Sequence, residues 1–117
     1  MKILLVEDND AVRKSIRQWL TNRIPLVDGV FECADGHAAV ELYASVRPDW
    51  VLMDIKLGQM DGLTAARMIL GTFPEARIIV LTNHDDQAFR EEAAAIGVRS
   101  YQLKEDLREI EGILEKA

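Results

Sequence analysis

Apolar residues recur along this chain in two alternating patterns. Ile3 to Val6, Val51 to Met53 and Ile78 to Leu81 are short unbroken apolar runs, as expected of central parallel strands covered on both faces. Around them, Val12, Ile16, Trp19 and Leu20, then Val40, Tyr43 and Ala44, then Leu63, Ala66 and Leu70 keep helical spacing. Phe89, Ala93 and Ile96 continue it with Gly97 as a helix stop, and Leu107, Ile110 and Leu114 mark the last helix. Two mixed stretches, Val27 to Cys33 and Arg99 to Leu103, fit edge strands with one wetter side. The pattern predicts five strand and helix pairs. With no internal repeat or Pro/Gly/Ser-rich linker, residues 1–117 read as one doubly wound α/β domain with a five-stranded parallel sheet and five helices.

Composition narrows the functions such a domain can have. The 117 residues suffice for one compact domain and its core. Apolar residues at 49% and charged ones at 29% fit a soluble globular protein. A net charge of -6 repels a phosphate backbone, which argues against direct nucleic-acid binding. Cys33 is the single cysteine, so an internal disulfide is excluded and a reducing cytoplasm is the expected setting. The apolar run before Glu7 and Asp8 is too short for a signal peptide or a membrane span.

In open α/β sheets the ligand crevice lies beyond the carboxyl ends of the strands, where strand order reverses. Those ends carry Glu7 and Asp8 after the first strand, Asp54 after the third, Thr82 after the fourth and Lys104 after the fifth. Carboxylates at neighbouring ends repel one another unless a cation offsets them. Mg²⁺ (or Mn²⁺) suits a small oxygen-only cluster that leaves room for water and a phosphate. A zinc site has little support, since His37 and His84 are far apart and lack cysteine partners. Asp54 on the central end is the candidate nucleophile toward a phosphoryl group. Lys104 supplies a point charge and Thr82 a hydroxyl for the phosphoryl oxygens.

Plainer roles compete for several residues. Asp8 or Asp10 could cap the first helix; capping is the preferred reading for Asp10, metal binding for Glu7 and Asp8. Asp61 reads as the cap of the third helix, His84 as a surface residue, and Cys33, Trp19 and Trp50 as packing. Asp54 and Lys104 taken singly would pass for a turn residue and a solvated end charge; their joint placement argues otherwise.

Leu5-Val6-Glu7-Asp8-Asn9, Val51-Leu52-Met53-Asp54-Ile55, Asp61-Gly62-Leu63, Leu81-Thr82 and Tyr101-Gln102-Leu103-Lys104 together resemble two-component response-regulator receiver domains, over the whole chain. Leu81 to Asp86 and Lys104-Glu105-Asp106 look most like receivers of LuxR/NarL-type transcriptional regulators. The resemblance implies a flavodoxin-like sheet of order 2-1-3-4-5 and a phosphorelay switch. It implies Asp54 as phosphoacceptor, Mg²⁺ on Asp8, Asp54 and the Lys56 carbonyl, and Glu7 acting through water. Thr82 and Lys104 would read the phosphoryl group. Tyr101 would turn inward with Thr82, changing the face of helix four, strand five and helix five; filling the core beside Leu103 is its plainer role.

The implied donor is a phosphohistidine on a sensor kinase or phosphotransfer protein, with small acyl phosphates as substitutes. The implied output is a C-terminal helix-turn-helix domain or a separate effector, with a homodimer forming through the exposed output face. The domain would catalyse only its own phosphorylation and dephosphorylation. Departures from the family pattern are Leu57-Gly58 in place of Met-Pro, Asn83 after Thr82, Lys56 two residues past Asp54, and Glu105 in place of proline. Glu105 predicts a trans bond after Lys104, Gly58 a more flexible loop, and Lys56 with Asn83 an altered phosphate lifetime.

Other classes fit less well. An aspartyl phosphatase of the haloacid-dehalogenase type wants Asp-x-Asp-x-Thr, which Asp54-Ile55-Lys56-Leu57-Gly58 lacks. A flavodoxin-like cofactor binder needs a Ser/Thr/Gly-rich phosphate loop where Glu7-Asp8-Asn9-Asp10 stands. A degenerate receiver would be expected to lack Asp54 or Lys104, and both are present.

Overall fold

The structure, a computed structural model, describes residues 1–116. Five strands alternate with five helices: β1 (Lys2–Val6), α1 (Asp10–Arg23), β2 (Gly29–Cys33), α2 (Gly36–Val46), β3 (Trp50–Met53), α3 (Gly62–Thr72), β4 (Ile78–Thr82), α4 (Gln87–Ile96), β5 (Ser100–Leu103) and α5 (Leu107–Glu115), with a 3₁₀ turn over Lys104–Asp106. All pairings are parallel, in the order β2-β1-β3-β4-β5. The expected doubly wound sheet and its flavodoxin-like order are both present.

Side chains of a strand point alternately to opposite faces, so one unbroken apolar run serves two cores. Leu4, Val6, Val51 and Met53 face α2 and α3, where they meet Tyr43, Ala65 and Ile69. Ile3, Leu5, Leu52, Ile79 and Leu81 face the other way, onto Ile16 and Leu20 of α1 and Ile110 and Leu114 of α5. Each such fully buried side chain contributes about 1.5–3 kcal/mol relative to exposure. Among the described residues no helix is long and apolar enough to cross a membrane.

The helix ends explain two departures from the sequence reading. Asn9, not Asp10, caps α1: its side chain accepts the Val12 amide at 3.0 Å. Asp10 is the first helical residue, where its charge still favours the helix dipole. The second strand begins at Gly29 rather than near Val27, because the Val27 amide turns back onto the Ile24 carbonyl. Asp61 caps α3 through the Thr64 amide, and Gly97 ends α4 in the left-handed conformation at φ 99°. The Lys104–Glu105 bond is trans. The loop after Asp54 is anchored by Leu57, which is buried in the core beside α3 although Gly58 follows it at φ 36°.

Candidate functional site

Strand register brings the acidic residues together. Val6 is level with Met53, so Glu7 and Asp8 leave β1 beside Asp54 as it leaves β3. Two further ladder bonds hold this end: the Asp54 amide donates to the Val6 carbonyl and the Glu7 amide to the Cys33 carbonyl, each at 3.1 Å. Carboxylate oxygens of Glu7, Asp8 and Asp54 lie within 4.8 Å of one another. Glu7 and Asp54 are buried, at 2% and 6% exposure, whereas Asp8 is exposed.

Lys104 reaches this cluster from the far edge of the sheet. Its ammonium donates to Asp54 Oδ2 at 2.8 Å and pairs with Glu7 Oε1. Asp54 Oδ1 accepts the Ile55 amide at 2.7 Å, and Glu7 Oε2 the Asn9 amide at 3.4 Å. Burial pushes the Glu7 carboxyl above its ordinary pKa, the contact with Lys104 opposes that, and the Asp54 charge adds to it. Burial alone would lower Lys104, but its bonds to Asp54 and Glu7 outweigh that and raise it.

The donor set fits a hard divalent cation. Three carboxylates crowd against one ammonium in a small volume, all the ligands are oxygens, and exposed Asp8 keeps one side open to water. Cys33 is not among the grouped ligand atoms, and burial and then the Asp35 charge push its thiol up to about 11.

Two hydroxyls meet on the main chain of one residue beyond β4, His84. Thr82 is fully buried, and its Oγ1 accepts the His84 amide at 3.3 Å. The Tyr101 hydroxyl donates to the His84 carbonyl, while its ring packs beside Ile55, Val80 and Ala93 under the Arg90 guanidinium. Tyr101 therefore fills the core edge and also ties β5 to the loop after Thr82. The Lys56 ammonium sits 5.2 Å from the centre of the Phe89 ring on α4.

Sequence reasoning missed three contributors. The Ile55 amide orients the Asp54 carboxylate, and the His84 backbone, not its side chain, joins Thr82 to Tyr101. Gly62 stands so close behind Asp54 that a Cβ there would lie 1.8 Å from the Asp54 carbonyl oxygen. Its amide donates to the Ile55 carbonyl at 2.8 Å, so α3 starts against the backbone that carries the carboxylate. The motif Asp61-Gly62-Leu63 contained that glycine; only the fold reveals the close approach that requires it.

Residues 3–115 match the response regulator receiver domain family. The chain is 36% identical over 105 residues to the uncharacterized transcriptional regulatory protein YhcZ of Bacillus subtilis, covering 90% of this chain and 49% of that protein. It is 30% identical over 105 residues to the transcriptional regulatory protein DegU of Brevibacillus brevis, covering 90% of this chain and 44% of that one. Among solved structures, a LuxR-family two-component response regulator from Aurantimonas sp. SI85-9A1 superposes with a TM-score of 0.88 at 36% identity, over 98% of this chain and 85% of that chain. The chain thus spans about half the length of the transcriptional regulators it resembles.

Proposed function

This chain belongs to the response regulator receiver domain family, a regulatory family of phosphorylation-dependent switches, and from that premise we propose that Asp54 is the residue that takes the phosphoryl group. The observation that carries this reading is a buried carboxylate at a central strand end, held by an amide on one oxygen and an ammonium on the other. In the proposed step an Asp54 oxygen attacks phosphorus, an acyl phosphate forms, and the bond to the donor breaks. With a phosphohistidine donor the P–N bond breaks and the imidazole leaves with the electron pair.

Glu7, Asp8, Asp54 and the Lys56 carbonyl are the groups proposed to hold Mg²⁺ or Mn²⁺, Glu7 through water. The bound ion would offset charge on the incoming phosphoryl oxygens. Lys104 then holds one phosphoryl oxygen as a point charge and Thr82 donates its hydroxyl to another. The new dianionic group favours conformations that aim donors at it, so Thr82 gives up the His84 amide and releases the loop that Tyr101 grips. The domain catalyses its own phosphorylation and dephosphorylation and turns over no separate substrate.

The partners proposed are a sensor histidine kinase or phosphotransfer protein as donor, and an output that controls transcription. The transcriptional relatives and the fraction of their length that this chain spans support a DNA-binding output domain outside these residues. A separate effector is the alternative output; a homodimer formed on phosphorylation through the α4–β5–α5 face and a cytoplasmic location complete the proposal.

Incubation with Mg²⁺ and a small acyl phosphate, followed by intact mass, tests the assignment. One phosphoryl mass should be added to the wild type and none to Asp54→Asn. Equal addition to both proteins overturns it.

A further inference from the structure

The loop between β1 and α1 carries Asp8 on the surface, where packing does not fix its carboxylate. A guanidinium brackets it instead. Arg13 Nη1 donates to the Glu7 carbonyl at 2.8 Å, just before Asp8, and Nη2 donates to Asp10 Oδ1 at 2.8 Å, just after it. Its Nε lies 3.4 Å from Glu32 Oε1 on β2, a carboxylate that Arg17 also engages at 3.3 Å. The Arg13 backbone amide closes the first turn of α1 on the Asn9 carbonyl at 2.9 Å. The Arg13 side chain is 19% exposed and Glu32 27%, so the arms to the Glu7 carbonyl and to β2 are partly shielded from water, whereas the arm to exposed Asp10 is an ordinary surface pair.

We infer that Arg13 is a positioning residue for the divalent-cation site: its fork ties both flanks of Asp8 to β2 and so sets where the Asp8 carboxylate stands. The inference rests on the proposed metal role of Glu7, Asp8 and Asp54. Only a planar group with several fixed donors can reach a carbonyl, a carboxylate at the start of α1 and a strand carboxylate together; a lysine ammonium supplies the same charge without the fork. Charge alone predicts the opposite effect on the ion. A guanidinium near a cation site repels the cation, so deleting a merely electrostatic Arg13 would tighten binding, whereas deleting a brace loosens it.

Mg²⁺ titration of the unphosphorylated protein by calorimetry separates the two. Wild type, Arg13→Lys and Arg13→Met should all fold, since Lys and Met are good helix formers, and circular dichroism checks this. Both variants should bind Mg²⁺ roughly 10-fold more weakly, the scale seen when a group that orients metal ligands is removed. Wild-type affinity in Arg13→Lys, with equal or tighter binding in Arg13→Met, overturns the inference and leaves the metal assignment standing. Absence of Mg²⁺ binding in the wild type overturns both.

Discussion

β3 and β5 both end at the site, yet they are built differently. Every residue of β3 is buried, and it pairs with β1 on one side and β4 on the other. β5 is half-buried along its length and pairs with β4 alone. Moving β3 would open both cores, so Asp54 is presented by a support that cannot shift cheaply. Lys104 and Tyr101 ride on the edge, where smaller motions cost less. The contrast assigns the fixed nucleophile to the sheet centre and the groups that respond to the phosphoryl group to its margin.

The largest effect should come from the backbone behind Asp54. Gly62→Ala forces a methyl into the Asp54 carbonyl and is expected to cost about 4 kcal/mol or more in urea unfolding. Gly71→Ala in the same helix meets open space and should gain roughly 0.5–1 kcal/mol. Equal behaviour of the two variants would remove the claim of a rigid centre.

Next in size is Lys104→Met, studied in EDTA. It leaves Glu7 buried beside Asp54 without its cation and should cost on the order of 3 kcal/mol at neutral pH. Glu7 has a raised folded pKa, so the folded protein takes up its proton first as pH falls. The variant's deficit should therefore shrink as pH drops through the raised Glu7 value. In the wild type, the Lys104 contribution is complete below the ordinary lysine range and is lost as pH rises through its own raised pKa. A deficit that stays flat with pH would show that the loss lies in packing.

Tyr101→Phe should have the smallest effect. Losing the hydroxyl to the His84 carbonyl should cost about 1 kcal/mol or less, with the rate of acyl phosphate formation unchanged by intact mass. A slowed rate would place Tyr101 in the chemistry rather than at the margin.

Much of this division was legible in the residues. The apolar runs at Ile3, Val51 and Ile78 marked the buried strands because a strand covered on both faces has no polar alternation. Asp54 and Glu7 stood out because each follows such a run directly, and Lys104, after a mixed strand, stood out only through its placement at the same end of the sheet. The strand order came from family resemblance, since parallel pairing leaves no local mark. Asn9, Asp8 and Asp10 are nearly interchangeable as caps by chemistry, which is why the cap of α1 was misplaced by one residue. Arg13 looked like any polar residue on an amphipathic helix, and only the packing of α1 against β2 turns it toward the loop.

The main chain of His84 has a consequence for how such a switch can change over evolutionary time. Its amide, in the peptide plane shared with Asn83, faces Thr82, and its carbonyl, in the plane shared with Asp85, faces Tyr101, so two planes hinged at one Cα act as a jointed lever between them. A lever made of main chain is indifferent to the side chain it carries. Position 84 can be recoloured with charge, bulk or polarity to suit a new partner while the linkage stays engaged, and only proline, which has no amide hydrogen, would cut one end of it.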